Sequence, residues 1–135
     1  MLLLVLGSLG PKWPEPMATP FLVVGVLLFV GGMSQLALGL YAVGPSLGIS
    51  PRPTQGSSLR TAGLLGRVRH PVYGGWMLAG IGWALVFSPC SLLPAVLLIV
   101  ELDLKRRVEE RMLVRAYPDY AAYALRVPRI YVVIP

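Results

Sequence analysis

Few residues of this chain could carry chemistry, and most of them fall in two places. The first is Arg69-His70-Pro71-Val72-Tyr73, which sets a cation, the protein's single imidazole, a helix-starting proline and a phenol ahead of an apolar run with no charge between residues 73 and 89. The second is Glu109-Glu110, two adjacent acids that follow the cations Lys105, Arg106 and Arg107. A polar cluster at the mouth of an apolar helix is a candidate site, and the inventory limits its chemistry. A zinc centre needs three or four nitrogen, sulfur or oxygen ligands, and one His, one Cys and scattered acids supply no recognisable set, so no metal is expected. A Ser, His and acid triad could assemble across the sequence, but no Gly-x-Ser-x-Gly elbow is present. Neither a Walker phosphate loop nor a Rossmann glycine fingerprint follows a strand. What is left is a cup of cations, two adjacent acids, one imidazole and several aromatic rings.

The elements that must position these groups are membrane-like. Of 135 residues, 56% are hydrophobic and 13% charged, and the mean hydropathy is +0.70, which points to a single membrane domain. The net charge of +6 could suggest nucleic acid. A nucleic-acid-binding domain, however, spreads Lys and Arg over a polar surface, whereas these cations sit between apolar runs in the positive-inside pattern. No nucleic-acid partner is therefore expected. Cys90 is the one cysteine, so no intrachain disulfide forms.

Residues 1–9 are apolar but only about half the roughly 20 residues that cross a bilayer. They lack a basic n-region and a small-residue cleavage site, so a short first helix, re-entrant or partly inserted, is expected in place of a signal peptide. Pro11, Pro14, Pro16 and Pro20 should then break the backbone, with Trp13 as an interfacial anchor. Residues 21–43 make the clearest span. Gly25, Gly31, Gly32 and Gly39 within it should admit a neighbouring helix, and Gln35 should make an interhelical hydrogen bond. Residues 44–58, rich in Gly, Pro and Ser, read as a loop, and Arg52, Arg60, Arg67 and Arg69 follow without an acid, which places this side in the cytoplasm.

Residues 73–87 form the next span, residues 88–91 an uncharged turn, and residues 92–100 the return, which brings the second basic cluster back to the side of the first. Gly74, Gly75, Ala79, Gly80, Gly82 and Ala84 suggest tight packing of this hairpin, and Gly80-Ile81-Gly82 inside an apolar helix reads as packing before it reads as a cofactor motif. From Glu101 the helix should leave the membrane, with Glu101 pairing to Lys105, and Glu109 and Glu110 reaching back to Lys105, Arg106 or Arg107. Taken alone these charges describe a solvated, salt-bridged helix end. Tyr117, Tyr120 and Tyr123 read as interfacial anchors, or as part of a tail folded over the cytoplasmic mouth.

These residues also carry a resemblance. Leu59, Thr61 and Gly63, then Arg69-His70-Pro71-x-Tyr73-x-Gly75, then Glu109-Glu110-x-x-Leu113, then Tyr117, Tyr120 and Tyr123 with Val127-Pro128-Arg129 and a final Pro135 resemble the isoprenylcysteine carboxyl methyltransferase and phospholipid methyltransferase superfamily. The likeness runs from about Ser57 to Pro135. It implies an integral-membrane enzyme that binds S-adenosylmethionine without a Rossmann domain. Carried over, Leu59, Arg60 and Leu65 would line the cofactor, and Arg69 with His70, Pro71, Val72 and Tyr73 would meet its methionine end. Glu109 would hold its polar groups with Glu110 in support, and Gly80 and Gly82 match a glycine element described for the phospholipid enzymes. In the prenylcysteine enzymes a cation about one turn before the acid pair orients the substrate, and Lys105 falls there. Leu65 departs from the family, which usually has a tyrosine at that place.

The expected fold is thus all-α: a polytopic transmembrane bundle of three to four membrane helices with a cytoplasmic helical C-terminal extension. It forms one domain over residues 1–135, with N-terminal helices and loop in 1–58 and the cofactor-binding core in 59–135. The expected activity is transfer of a methyl group from S-adenosylmethionine to a lipophilic or small acceptor, a prenylcysteine-like carboxylate, a phospholipid amine or a thiol, at the cytoplasmic face of the cell membrane. Methyl transfer from a cationic sulfur needs alignment and dryness more than acid catalysis. Lys105 or Arg106 beside an acceptor carboxylate and Glu109 beside the sulfonium or amine, supported by Glu110, would supply opposite charges at the two ends of the reaction axis. The alternative is a non-catalytic membrane scaffold, or a degenerate relative, whose basic faces bind anionic lipid.

Overall fold

A computed structural model describes residues 2–44 and 61–130. Within them the chain is all-helical: α1 (Leu2–Gly7), α2 (Ala18–Val43), α3 (Pro71–Phe87), α4 (Leu92–Ala116) and α5 (Tyr120–Arg126), with short 3-10 turns at Gly63–Gly66 and Pro89–Ser91. The loop expected at 44–58 lies, from residue 45 on, outside the described residues.

The apolar run that forms α2 is long enough, at 26 residues, to extend about 39 Å. Pro20 does not break it as expected. It sits in the first helical turn, where its missing N–H has no partner to lose. The helix stops at Gly44, whose φ of +55° suits a residue without Cβ and whose N–H donates to the Leu40 carbonyl. Of the described helices, α2 alone is long and apolar enough to cross a membrane, and most of it is not covered by protein. α3 is apolar but shorter, at 17 residues.

α2 and α3 pack antiparallel along a glycine seam. A Cβ on Gly32 would stand 2.5 Å from the Ala79 nitrogen and 2.7 Å from the Gly75 oxygen. One on Gly75 would stand 2.6 Å from the Leu36 nitrogen, and one on Gly25 2.9 Å from the Gly82 oxygen. Gly25, Gly32 and Gly39 on one helix and Gly75 and Gly82 on the other repeat every seven residues, the spacing that keeps one face toward a partner. Gly31 is the exception among the four expected glycines, since nothing lies near its absent Cβ. The hairpin expectation holds in part: Gly80 meets Leu98 of α4 and Ala84 packs with Ala95, whereas Gly75 and Gly82 serve α2.

At the far end of α3, the Pro89–Ser91 turn is fastened to the N-terminal segment. Ser88 Oγ donates to the Pro11 carbonyl at 2.8 Å, and Ser91 Oγ to the Leu4 carbonyl at 3.3 Å. α1 packs there, with Leu4 buried among Ala84, Ala95, Trp83 and Leu98. Trp13 is more than an anchor: its indole N–H donates to the Ala84 carbonyl at 3.2 Å and its ring meets Phe21 edge-on.

At the near end of α3, backbone hydrogen bonds from Arg69 N–H to the Pro128 carbonyl and from His70 N–H to the Arg129 carbonyl, each 2.9 Å, lay the C-terminal segment beside the α3 entrance. Gln35 makes the interhelical link expected of it, donating to the Pro71 and Ile130 carbonyls at 3.1 and 2.9 Å. The tyrosines differ from the anchor expectation. Tyr120 and Tyr123 are buried with Val127 and Leu113, and the Tyr123 hydroxyl donates to the Leu65 carbonyl.

The seam makes a direct prediction. Gly32→Val should lower unfolding stability in detergent by about 1–3 kcal/mol through overpacking. Gly31→Val, one residue away on the open face, should stay within about 0.5 kcal/mol. Equal losses at both positions would mean that α2 and α3 do not meet along this line.

Candidate functional site

Pro71 fixes where α3 starts, because its ring presets the helical φ and its absent N–H costs nothing at the first position. The residue before a proline is pushed out of the helical region, and His70 accordingly sits at φ −124°, ψ 62°, which leaves its side chain at the helix mouth. α4 meets it from the other side. Its helix continues unbroken from the apolar Leu92 to Ala116, so Asp103, Arg106 and Glu110 fall on one face at i, i+3 and i+7.

Glu110 joins the two helices. Its Oε1 accepts from Arg69 Nη1 at 2.9 Å and from His70 Nε2 at 3.1 Å, and its Oε2 accepts from Arg106 Nη1 at 3.0 Å. Arg69 and Arg106 are each only 6% exposed, and Glu110 is the one carboxylate paired with Arg69 among the described residues. Arg106 is fixed further by Asp103, through Nε at 3.0 Å and Nη2 at 2.5 Å, and Asp103 also takes Arg107 at 2.6 Å.

Glu109 is different. It is one-third exposed and faces the other ring nitrogen of His70, with Oε2 3.7 Å from Nδ1. Burial lowers the His70 pKa below its ordinary value; the two carboxylates oppose that shift without cancelling it, and Arg69 adds to it. The ring is therefore neutral at pH 7, and donation from Nε2 to Glu110 assigns the tautomer with a bare Nδ1. Tyr73 stacks on the imidazole, centroids 5.6 Å apart and planes within 9°, and its hydroxyl approaches Glu109. The mouth thus offers two acceptors side by side, the Glu109 carboxylate and His70 Nδ1, next to an aromatic ring. Two acceptors beside an aromatic face are the complement of a cation that donates hydrogen bonds.

Of the residues singled out by sequence, the fold brings together Arg69, His70, Pro71, Val72, Tyr73, Arg106, Glu109 and Glu110. Leu65 is tied to α5 instead, its carbonyl accepting from the Tyr123 hydroxyl. Lys105 is not brought in; it pairs with Glu101 at 2.8 Å, and both are 60% exposed. Gly80 and Gly82 lie farther along α3 in helix packing, about 10–14 Å of helix rise beyond Tyr73. Leu59 and Arg60 lie outside the described residues. Asp103 was missed, although its place three residues before Arg106 on a helix signals the pairing.

Compared with family models, with curated proteins and with solved structures, the chain matches none.

The unequal burial of the two acids predicts unequal costs. Glu110→Gln leaves the enclosed Arg69 guanidinium uncompensated and Arg106 with Asp103 alone, and should destabilise the fold by about 3–5 kcal/mol. Glu109→Gln should cost under about 1 kcal/mol. Chemical unfolding of both variants in detergent checks this, and a larger loss at Glu109 would reverse the assignment.

Proposed function

We propose that the chain is an integral-membrane methyltransferase that takes S-adenosylmethionine at the mouth formed by His70, Tyr73 and Glu109 and methylates a lipophilic or small acceptor. The observation that carries the reading is the meeting of His70 with both Glu109 and Glu110, at 3.7 and 3.1 Å, although 39 and 40 residues separate them in sequence. The resemblance to the isoprenylcysteine carboxyl and phospholipid methyltransferases requires that juxtaposition. In this reading α2 crosses the bilayer, α3 and the apolar start of α4 are held in it beside α2 as a polytopic bundle, and the mouth lies on the cytoplasmic side, where Arg67, Arg69 and the cations of α4 gather.

The residues fit the cofactor's charges. When bound, it supplies a methyl group on a cationic sulfur, which departs as a neutral thioether. Glu109 and the bare His70 Nδ1 are placed to accept hydrogen bonds from the α-ammonium group, and the Tyr73 ring offers a π-face to a sulfonium. Glu110, Arg69 and Arg106 are positioning residues here, because they hold the imidazole in the tautomer that leaves Nδ1 free. Pro71 and Val72 shape the wall. A prenylcysteine-like carboxylate, a phospholipid amine or a thiol would approach between apolar helices whose outward residues, such as Leu27 and Leu38, are exposed. Lys105, the cation that the resemblance links to acceptor orientation, stands outside the mouth with Glu101.

Calorimetry with S-adenosylhomocysteine on the full chain in nanodiscs tests the proposal. The wild type should bind, and Glu109→Gln should bind roughly 10–100-fold more weakly, the loss of one charge-assisted hydrogen bond. Glu101→Gln, the same charge change on the outer face of α4, should bind as the wild type does. Absence of binding by the wild type would overturn the enzyme reading.

A further inference from the structure

We infer that the groove between the second half of α4 and α5 is a binding site for a phosphate-bearing anion, separate from the cofactor mouth. The groove has a volume of about 700 Å³ and is lined by Arg69, Arg106, Arg107, Arg111, Arg115 and Arg129. These six cations come from three parts of the chain: the segment before α3, the α4 helix, and the segment after α5. Glu110 is the one carboxylate in the lining, whereas His70, Tyr73 and Glu109 do not contribute. The groove therefore shares Arg69, Arg106 and Glu110 with the polar cluster but none of the three mouth residues.

The charges do not balance. Glu110 is shared by Arg69 and Arg106, and Asp103 by Arg106 and Arg107, so two carboxylates face six guanidiniums. Arg111, Arg115 and Arg129 have no ion-pair partner among the described residues. Arg107, Arg111 and Arg115 repeat at i, i+4 and i+8, a like-charge stripe about 12 Å long that disfavours the bare helix. Arg107, Arg111, Arg115 and Arg129 are exposed along this groove, above a buried base. Here Arg69 is 6% exposed, and its guanidinium lies against the Tyr120 hydroxyl, which shares the lining. Burial raises the Tyr120 pKa, so its hydroxyl keeps the proton needed to donate.

A wall of guanidinium forks, three of them without an ion-pair partner among the described residues, is the complement of phosphate oxygens, which accept in paired geometry. At the rim, Val114 and Leu125 are apolar and exposed, Leu125 by 90%. That rim can accommodate either a lipid headgroup with its glycerol or a small soluble phosphate; the cation set is the same for both.

The test uses the full chain in phosphatidylcholine nanodiscs, with and without phosphatidic acid, and inorganic pyrophosphate as the soluble probe. Arg111→Gln/Arg115→Gln removes two exposed cations that hold no other side chain. Arg67→Gln/Arg126→Gln removes the same charge outside the groove. The wild type should bind at least one probe, and the groove pair should weaken that binding at least tenfold while the outer pair changes it less than twofold. Binding confined to phosphatidic acid discs supports the site with a lipid headgroup as its ligand; comparable binding of pyrophosphate supports it with a free anion. Binding of neither probe, or equal losses in the two double variants, overturns the proposal. S-adenosylhomocysteine binding should survive in the groove pair, which separates this outcome from failure of the cofactor reading.

Discussion

A single carboxylate holds this structure's polar end together. Glu110 accepts from Arg69 and His70 at the start of α3 and from Arg106 one turn back on α4, so three donors from two helices converge on two oxygens. Buried charges persist only where each is paired and hydrogen-bonded. That requirement fixes the approach of α4 to α3 at the mouth, just as the glycine seam fixes the approach of α2 to α3. Backbone bonds from Arg69 and His70 to Pro128 and Arg129 then bind the C-terminal segment to the same place.

The two adjacent acids gain different roles from this arrangement. Glu110 is largely buried and commits its oxygens to two guanidiniums and the imidazole, whereas Glu109 keeps a partly open carboxylate beside the unprotonated nitrogen of His70. One residue of helix rotation separates a structural anchor from a ligand-facing group. The same rotation separates Arg106, buried and paired, from Lys105, exposed and paired only to Glu101. Glu110 also lines the arginine groove, whereas Glu109, His70 and Tyr73 do not.

Parts of this were legible in the sequence. The uncharged run of α2, the start of α3 at Pro71 and the pairing of Glu101 with Lys105 follow from composition, proline geometry and helical spacing. So does the interhelical role of Gln35, a lone polar side chain in an apolar helix. Other parts were hidden because they depend on which surfaces meet. The seven-residue glycine repeat is visible on both α2 and α3, but small residues alone do not say whether α3 turns them to α2 or to α4. Tyr120 and Tyr123 have the composition of interfacial anchors, yet α5 folds onto Leu65 and buries them. The arginine groove gathers residues from three separated segments, which no local spacing reveals.

Because His70 is the only histidine, nitrogen-15 NMR of its ring in nanodiscs reads the hub directly. A neutral imidazole protonated at Nε2, with its ionisation displaced below the ordinary 6.5 by burial, is the expected result at pH 7. A ring protonated at Nδ1 at that pH, or a doubly protonated imidazolium, would contradict the arrangement in which Glu110 holds His70 and leaves Nδ1 free.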